Sequence, residues 1–396
     1  MSGPLDGVKV LDLSRFIAGP HCGMLLGDMG ADVIKVEKPV GGEDGRLVPP
    51  TVNDESLYVM VYNRNKRGIT LNSRDPRAQD LLRELTRQAD VLIENFRPGT
   101  MEQMGCSWEV LHEINPRLIM ARISGFGQDG PYAQRPCFDV IAQGMSGLME
   151  ITGQPGGPPT MSGTFVVDYT TALYATIGVL GALHHREKTG RGQLVDLALL
   201  DSAVSLLMTA IPEHVLQGRM TTRLGNRDRY VAPANTFQAR DGSWVVVVGG
   251  NPAHFPRMVR ALQREDLLQD PRFDTVEARL EHVDEIESIV AEWVASKTGD
   301  EVVAIMEKVE LPCTKVATIA DVVANPQLKH RRQIVETEHP TAGRVPMQGI
   351  TIQYSETKAE IRRPAPTLGQ HNEEVLAQWL GYSSEKVAQL RAEGVI

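Results

Sequence analysis

Short apolar runs alternate with helical patterns along the first half of the chain. The runs that predict β-strands are Val8–Leu13, Val33–Glu37, Ile69–Leu71, Val91–Glu94, Leu118–Ile123 and Leu194–Leu197. Segments between them, such as Pro76–Gln88, have the pattern of helices. Because crossover helices join neighbouring parallel strands, this alternation predicts a doubly wound α/β sheet. The turn Ser14–Gly19 lacks the G-x-G-x-x-G pattern, which argues against a nicotinamide-dependent dehydrogenase.

The length of the chain, 396 residues, exceeds the usual size of a single hydrophobic core and predicts two domains. We expect residues 1–218 to form the first part of a large Rossmann-like α/β domain. Residues 219–316 are predicted to be a linker and a smaller α+β domain, and residues 317–396 a linker and a return to the large domain with terminal helices. In the small domain Gly249 and Gly250 follow the strand Trp244–Val248 and form either a flexible lid or an ordinary strand-end turn.

One helix in the middle of the chain contains the most conspicuous polar group. Apolar or small residues fall all round the helical wheel from Tyr169 to Leu183, which predicts a buried helix, and Gly190 stands where a helix stop belongs. Asp168 lies at its start among uncharged neighbours. Its carboxylate can cap the free backbone N–H groups, or it can be a nucleophile that the helix dipole keeps ionised. Spacing alone leaves both interpretations open.

The composition mainly argues against certain classes of protein and certain kinds of partner. With 41 basic and 50 acidic residues the formal net charge is −9, which argues against nucleic acid as a partner but allows a local basic pocket. Residues 1–7 lack the features of a signal peptide, and no uncharged apolar stretch of membrane-spanning length is apparent. We therefore expect a cytoplasmic protein with no membrane partner. The four cysteines are scattered, without metal-ligand spacing, which predicts reduced thiols and no metal.

Cationic and amide side chains recur where the predicted strands end. These side chains are Lys38, Arg74, Asn95 and Arg97. Ligands of doubly wound sheets bind outside the carboxyl ends of the strands, and such side chains suit phosphate groups. Each of them, taken alone, is better explained as a solvated surface residue, and only their recurrence at successive strand ends makes an anion site an equal alternative. An anion site therefore remains one of two interpretations at this point.

Several long segments resemble a known family. They are Val10–Leu13, Gly30–Glu37, Glu94–Gly99, Ser124–Tyr132, Asp168–Ala175 and Gly181–Gln193. Together they resemble the family III CoA-transferases, which comprise the relatives of formyl-CoA transferase and carnitine CoA-transferase and include the α-methylacyl-CoA racemases. The resemblance covers nearly the whole chain and is weakest from Arg219 to Val316. It implies an interlocked homodimer.

The resemblance also implies where coenzyme A binds and which residue carries the reaction. Asp168 corresponds to the aspartate that carries the acyl group and then CoA. The implied CoA-contacting residues are Ile17, Ala18, Lys38, Leu71, Asn72, Ser73, Arg74, Asn95, Phe96, Arg97, Pro136, Cys137, Phe138 and Asp139. Ile17 departs from the polar residue that some transferases have, and Gln103 stands where some relatives have a basic residue.

The implied reaction moves CoA from an acyl-CoA to a free carboxylic acid through anhydride and aspartyl-CoA thioester intermediates on Asp168. Succinyl-CoA as donor and a small dicarboxylic acid as acceptor form our hypothesis for the substrates. A racemase is the nearest alternative, but it needs a histidine where this chain has Phe138, which cannot transfer a proton. A CoA-binding protein without turnover is the alternative from another functional class.

Overall fold

The computed structural model describes residues 3–396, which form two compact units. The large unit contains the described residues through Leu148, with Met161–Ile211 and Pro326–Ile396. The small unit contains Met149–Thr160 and Pro212–Asn325. These limits differ from the predicted boundaries after residues 218 and 316. The loop Met149–Thr160 has no hydrophobic periodicity that would assign it to the small unit, which it joins through hydrogen bonds such as Gly225 N to Gly153 O, 2.7 Å.

Helices and strands alternate along the chain as predicted. Through residue 217 they are β1 Lys9–Asp12, α1 Ala18–Asp28, β2 Asp32–Glu37, β3 Thr51–Val52, β4 Glu55–Ser56, α2 Leu57–Asn63, β5 Lys66–Thr70, α3 Pro76–Gln88, β6 Val91–Glu94, α4 Thr100–Gln103, α5 Trp108–Ile114, β7 Ile119–Ser124, α6 Asp139–Ser146, α7 Val166–Thr189, β8 Leu194–Ala198, α8 Leu199–Val204 and α9 Ala210–Gln217. A short 3₁₀ helix spans Asp44–Leu47.

The rest of the chain completes the small unit and then returns to the large one. Its elements are β9 Ala234–Gln238, β10 Trp244–Val248, α10 Phe255–Leu262, α11 Val276–Glu281, α12 Val283–Ala295, α13 Gly299–Lys308, β11 Cys313–Lys315, α14 Ile319–Ala324, α15 Pro326–His330, β12 Ile334–His339, β13 Gly343–Gln348, α16 Asn372–Leu380 and α17 Ser384–Ala392. A second 3₁₀ helix spans Glu265–Gln269.

A six-stranded parallel sheet, in the order β5-β2-β1-β6-β7-β8, organises the large unit. The chain moves outward from β1 to β5, and then from β6 to β8 on the other side. The strand order therefore reverses between β1 and β6, which is where ligands of doubly wound sheets bind. The predicted mixed α/β fold with a parallel sheet is confirmed.

Alternate residues of the central strands pack into two hydrophobic layers, one on each face of the sheet. Leu11 of β1 packs with Leu82 of α3 and with Val375 and Trp379 of α16 on one side of the sheet. Val10 packs with Leu26 of α1 and Val179 of α7 on the other. Because side chains of a strand point alternately to opposite faces, both layers are anchored by a single strand. The carboxyl-terminal helices thus complete the large unit.

Strand β5 begins three residues earlier than the apolar run Ile69–Leu71 indicates. Its first residues, Lys66 and Arg67, are buried and charged. The Lys66 Nζ lies 2.6 Å from the Asp12 Oδ2, and the Arg67 Nη2 lies 2.6 Å from the Asp32 Oδ2. Ion pairs to other strands of the same sheet thus allow charged residues inside it, and the hydrophobic pattern alone cannot reveal them.

Helix α7 is longer and less uniformly buried than predicted. It packs Ala172, Ala175 and Val179 against the sheet, while Leu173 and Ile177 remain 51% and 62% exposed. The expectation of a helix buried on all sides is therefore wrong for the single chain. With 24 residues, α7 is also long and apolar enough to cross a membrane by length and composition alone, a test that core helices pass as well. It ends at Gly190, whose φ of +74° suits glycine.

The small unit packs helices against a three-stranded antiparallel sheet, β11-β10-β9. Its core includes Val245 and Val247 of β10, Val259 of α10, Val290 of α12 and Met306 of α13. Gly249 and Gly250 follow β10 and are buried. The Gly249 N–H donates to the Pro233 carbonyl oxygen at 2.9 Å, and the Gly250 carbonyl oxygen accepts from Arg279 at 2.8 Å. These are the contacts of a packed strand end, and the lid role stays a prediction.

We expect Asp12→Asn to destabilise the large unit strongly. Asp12 is fully buried, and although burial opposes it, the charges of Lys66 and Lys35 lower the pKa of its carboxyl group. Losing its charge leaves buried lysines uncompensated, which costs roughly 3 to 5 kcal/mol. Urea unfolding of the variant checks this value. Asp266→Asn, which breaks the exposed pair with Arg264, is the control, and equal effects of the two variants would contradict the role of the buried pair.

Candidate active site

A crevice of about 320 Å³ opens at the carboxyl ends of β1, β6 and β7, where the strand order reverses. A smaller and more apolar pocket of about 150 Å³ adjoins it. The predicted site residues that line the crevice are Ile17, Ala18, Asn95, Phe96, Arg97, Pro136, Cys137, Phe138 and Asp168. Lys38, Leu71, Ser73 and again Phe96 line the smaller pocket. Most of the predicted site residues thus lie around two adjoining cavities.

Three predicted residues line neither cavity. The Asn72 side chain donates to the Gly394 carbonyl oxygen at 3.2 Å, which ties it to the carboxyl terminus. The Arg74 backbone N–H donates to the Asn72 Oδ1 at 3.4 Å. Asp139 is 2% exposed and binds backbone N–H groups of α7. The direct CoA contacts of these three residues stay predictions.

Asn95 positions the loop after β1. Its side chain accepts a hydrogen bond from the Arg15 N–H and donates one to the Arg15 carbonyl oxygen, both at 2.7 Å. The next residue, Phe16, has a φ of +64° and its N–H donates to the buried Glu43 at 2.9 Å. One donor and one acceptor position of Asn95 are thus used to fix this loop, and its predicted contact with CoA stays a prediction.

Asp168 is the third residue of α7 and does not cap it. The residue before the helix is Phe165, and Asp139 of α6 supplies the missing acceptor. Its Oδ2 accepts hydrogen bonds from the N–H groups of Val167 at 2.7 Å and Asp168 at 3.0 Å. The capping role that the sequence left open for Asp168 thus falls to Asp139. The Asp168 carboxyl group is left facing the crevice.

The surroundings of the Asp168 carboxyl group favour its neutral form. Burial and, to a smaller extent, the charge of Asp139 raise its pKa from 3.8 to about 7. Within residues 3–396 no group donates a hydrogen bond to this carboxyl group, because Asp139 already occupies the first N–H groups of the helix. The helix start therefore does not lower the pKa of Asp168, and the ionised state that the sequence suggested for it stays a prediction. An ionised Asp168 is instead a poorly solvated carboxylate, which makes it a strong nucleophile.

The sequence analysis did not single out four aromatic side chains near the start of α7: Tyr58, Tyr62, Tyr169 and His21. Tyr62 of α2 and Tyr169 of α7 share a hydrogen bond of 2.9 Å between their hydroxyl groups, and the His21 ring meets Tyr169 edge-on at 4.7 Å. Burial, with a contribution from the charge of Asp168, raises the pKa of the Tyr58 hydroxyl group, so that it remains a hydrogen-bond donor. The spacing of Tyr58 and Tyr62 on one helix face was the available sequence signal.

Two cations at the mouth of the crevice share one carboxylate. Asp44 lies 3.0 Å from the Arg15 guanidinium group and 3.0 Å from the Lys38 ammonium group. Lys38 was predicted to contact CoA, whereas Arg15 and Asp44 were not singled out from the sequence. Residues 3–396 contain no cluster of three or more His, Cys, Asp or Glu side chains suited to a metal ion, and a metal-free reaction stays a prediction.

Comparison with known proteins identifies the family. The sequence model of the family described as CoA-transferase family III matches residues 5–372. The chain belongs to this family. It is 39% identical to succinyl-CoA–D-citramalate CoA-transferase of Chloroflexus aurantiacus, over 99% of this chain and 98% of that protein. It is 36% identical to human succinyl-CoA:glutarate CoA-transferase, over 99% of this chain and 90% of that protein.

A solved structure also matches this family III chain. A CaiB/BaiF family protein from Brucella suis superposes with a TM-score of 0.86 at 35% identity, over 96% of this chain and 100% of that one. The prediction from the sequence that the chain is a family III CoA-transferase is confirmed. The individual site residues stay predictions.

We expect Asp168→Asn to stabilise this family III protein in a pH-dependent way. Below about pH 3, which is under both pKa values, the carboxyl group is protonated in both states, so the variant gains nothing. As the pH rises towards about 7, the unfolded chain ionises Asp168 while the folded chain still holds the proton, so wild-type stability falls. Above about pH 8 the variant should be more stable by up to roughly 4 kcal/mol. Urea unfolding at about pH 5 and pH 8 measures this, and an equal difference at both values would contradict the raised pKa.

Proposed function

We propose that this protein moves CoA from succinyl-CoA to a small dicarboxylic acid, with Asp168 as the residue that carries the acyl group and then CoA. The observation that carries this proposal is a poorly solvated carboxyl group facing a crevice at the reversal point of a doubly wound sheet. The names of two relatives support the substrates. One acts with succinyl-CoA and D-citramalate, the other with succinyl-CoA and glutarate, and both acceptors are dicarboxylic acids.

The first half of the reaction transfers CoA to the protein. The Asp168 carboxylate attacks the thioester carbonyl carbon of the donor, and the C–S bond breaks. This step releases the CoA thiolate and forms a mixed anhydride between Asp168 and the succinyl group. The thiolate then attacks the Asp168 carbonyl carbon of this anhydride, which releases free succinate. The product is an aspartyl-CoA thioester on Asp168.

The second half transfers CoA to the acceptor. A carboxylate oxygen of the acceptor attacks the aspartyl thioester and displaces the CoA thiolate, forming a second mixed anhydride. The thiolate attacks the acceptor carbonyl carbon, which yields the new acyl-CoA and regenerates the Asp168 carboxylate. Each step exchanges one acyl bond for another, and no water takes part. Because water would hydrolyse the anhydrides, the reaction requires a site that excludes it.

The residues around Asp168 are suited to these steps. Burial raises the pKa of the Tyr58 and Tyr62 hydroxyl groups, with a smaller contribution from the charge of Asp168, so both stay protonated. We propose that the Tyr58 hydroxyl group donates to a developing oxyanion. We place the pantetheine arm of CoA along the predicted contacts of the crevice, and its nucleotide towards Lys38 and the smaller pocket. The phenyl ring of Phe138, 64% exposed at the crevice, offers no proton, which disfavours racemisation at the α-carbon.

We further propose a cytoplasmic, interlocked homodimer. In the single chain, Leu173, Tyr174 and Ile177 of α7 and Ile141 and Met145 of α6 are each more than two-fifths exposed. Apolar side chains on neighbouring helices form the kind of surface that a second subunit covers. The resemblance to the family supports interlocking as the way in which the subunits combine.

Mass spectrometry of the intact protein tests the transfer mechanism. Incubation with succinyl-CoA should leave a covalent CoA adduct that maps to Asp168, and addition of a dicarboxylic acid such as glutarate should remove it. Asp168→Asn should form no adduct and lose at least about 10³-fold in exchange rate, because the nucleophile is gone. Asp80→Asn, an exposed position on α3 paired with Arg83, is the control and should retain both adduct and exchange. Exchange by Asp168→Asn would refute the assignment, and CoA binding without an adduct would favour a non-catalytic protein.

Subunit exchange tests interlocking. When tagged and untagged preparations of the protein are mixed under native conditions, no mixed dimer should form, since linked chains cannot separate while folded. Mixed dimers should appear after joint unfolding and refolding in urea. Affinity capture of the tag followed by quantification of untagged protein measures both. Rapid exchange of folded protein would contradict interlocking, and a monomeric mass in sedimentation would contradict the dimer.

A further inference from the structure

The two cavities of the large unit share a wall that contains one carboxylate between two cations. Arg15, Asp44 and Phe96 line both the crevice and the smaller pocket. The Asp44 Oδ2 lies 3.0 Å from the Arg15 Nη1, and its Oδ1 lies 3.0 Å from the Lys38 Nζ. A ligand that extends from one cavity into the other must therefore pass this ion-paired group.

The Asp44 side chain is loosely held on a firmly held backbone. The preceding residue, Glu43, is buried and lies 3.2 Å from the Lys35 ammonium group. Two residues further on, Arg46 donates two hydrogen bonds of 2.7 Å to Glu37. The Asp44 side chain itself is 45% exposed, and exposed ion pairs contribute little free energy. Its carboxylate can therefore leave the two cations without moving the loop.

Arg15 has contacts that do not depend on the Asp44 carboxylate. The Arg15 guanidinium group lies 5.3 Å from the centre of the Phe96 ring, and Asn95 holds the Arg15 backbone through two hydrogen bonds. The charges of Lys38 and Arg15 lower the pKa of the Asp44 carboxyl group, so that it is ionised at neutral pH. In the free protein the charge of the two cations is therefore partly compensated by the chain itself.

This inference rests on the proposed function, in which the ligands include both a CoA nucleotide and free dicarboxylates. We propose that Asp44 is an internal competitor that a phosphate group of CoA displaces, and that it prevents small carboxylates from occupying Arg15 and Lys38. A tethered carboxylate has a high effective concentration, so a free carboxylate gains nothing by replacing it. A phosphate group has more acceptor oxygens, and the nucleotide adds further contacts, so CoA overcomes this competition. The donor site thereby rejects the acceptor.

Calorimetric titration of the full-length protein with CoA tests this role. Asp44→Asn should bind CoA about 3- to 10-fold more tightly than wild type, because the competing charge is gone. Excess succinate should weaken CoA binding to Asp44→Asn and affect wild type much less. Adding Arg15→Gln to Asp44→Asn should abolish the gain. Pantetheine, which lacks phosphate, should bind wild type and Asp44→Asn equally.

The control is Asp266→Asn, which removes a similarly exposed carboxylate paired with Arg264 in the small unit and should match wild type. Unchanged or weaker CoA binding by a folded Asp44→Asn variant would overturn the proposal, and so would equal competition by succinate in both proteins. The outcome of this titration can be distinguished from the outcome of the adduct experiment that tests the proposed function. Tighter CoA binding by Asp44→Asn without an Asp168 adduct would keep this inference and refute acyl transfer. An Asp168 adduct together with unchanged CoA affinity of Asp44→Asn would support acyl transfer and refute this inference.

Discussion

A buried group of charged side chains beneath the crevice fixes the parts of the structure on which ligand binding depends. Lys66 of β5 donates to Asp12 of β1 at 2.6 Å, and Lys35 of β2 lies 3.2 Å from Glu43. Lys35 also donates to the Ser14 carbonyl oxygen, and Glu43 accepts from the Phe16 N–H at 2.9 Å. The same charges that hold three strands together therefore also set the backbone of the loop after β1. Because unpaired buried charges are costly, this loop has few alternative conformations.

The start of α7 divides two tasks between two carboxylates. Asp139 accepts the N–H groups of Val167 and Asp168, as a helix cap does, and is almost fully buried. Asp168 therefore does not cap the helix, and it lacks the hydrogen bonds that would stabilise its charge. The two carboxyl groups therefore have opposite environments: Asp139 accepts two backbone hydrogen bonds, and within residues 3–396 no group donates one to Asp168. Separating the environments of neighbouring acids is a general way to give them different chemical roles.

The sequence predicted the parallel α/β fold and the helix that carries Asp168, and most of the site residues that it singled out line the two cavities. These succeed because they depend on local periodicity and on long motifs. It did not reveal the hydrogen bonds by which one residue acts on another far along the chain. Asp139 caps a helix that begins 27 residues later, and the side-chain amide of Asn95 forms hydrogen bonds with the backbone of Arg15. Such pairings are properties of the folded chain, and hydrophobic patterns contain no signal for them.

The location of Asp168 explains how the fold tolerates an unfavourable carboxyl group. Its helix is fixed on one side by Ala172, Ala175 and Val179 against the sheet, and at its start by Asp139. The free-energy cost of burying Asp168 is thus concentrated on one side chain, while the backbone around it has no freedom to relieve that cost. A looser helix start would let water or N–H groups reach the carboxylate, which would lower both its pKa and its nucleophilicity. The rigidity that Asp139 supplies to the helix start therefore helps to keep the pKa of Asp168 high.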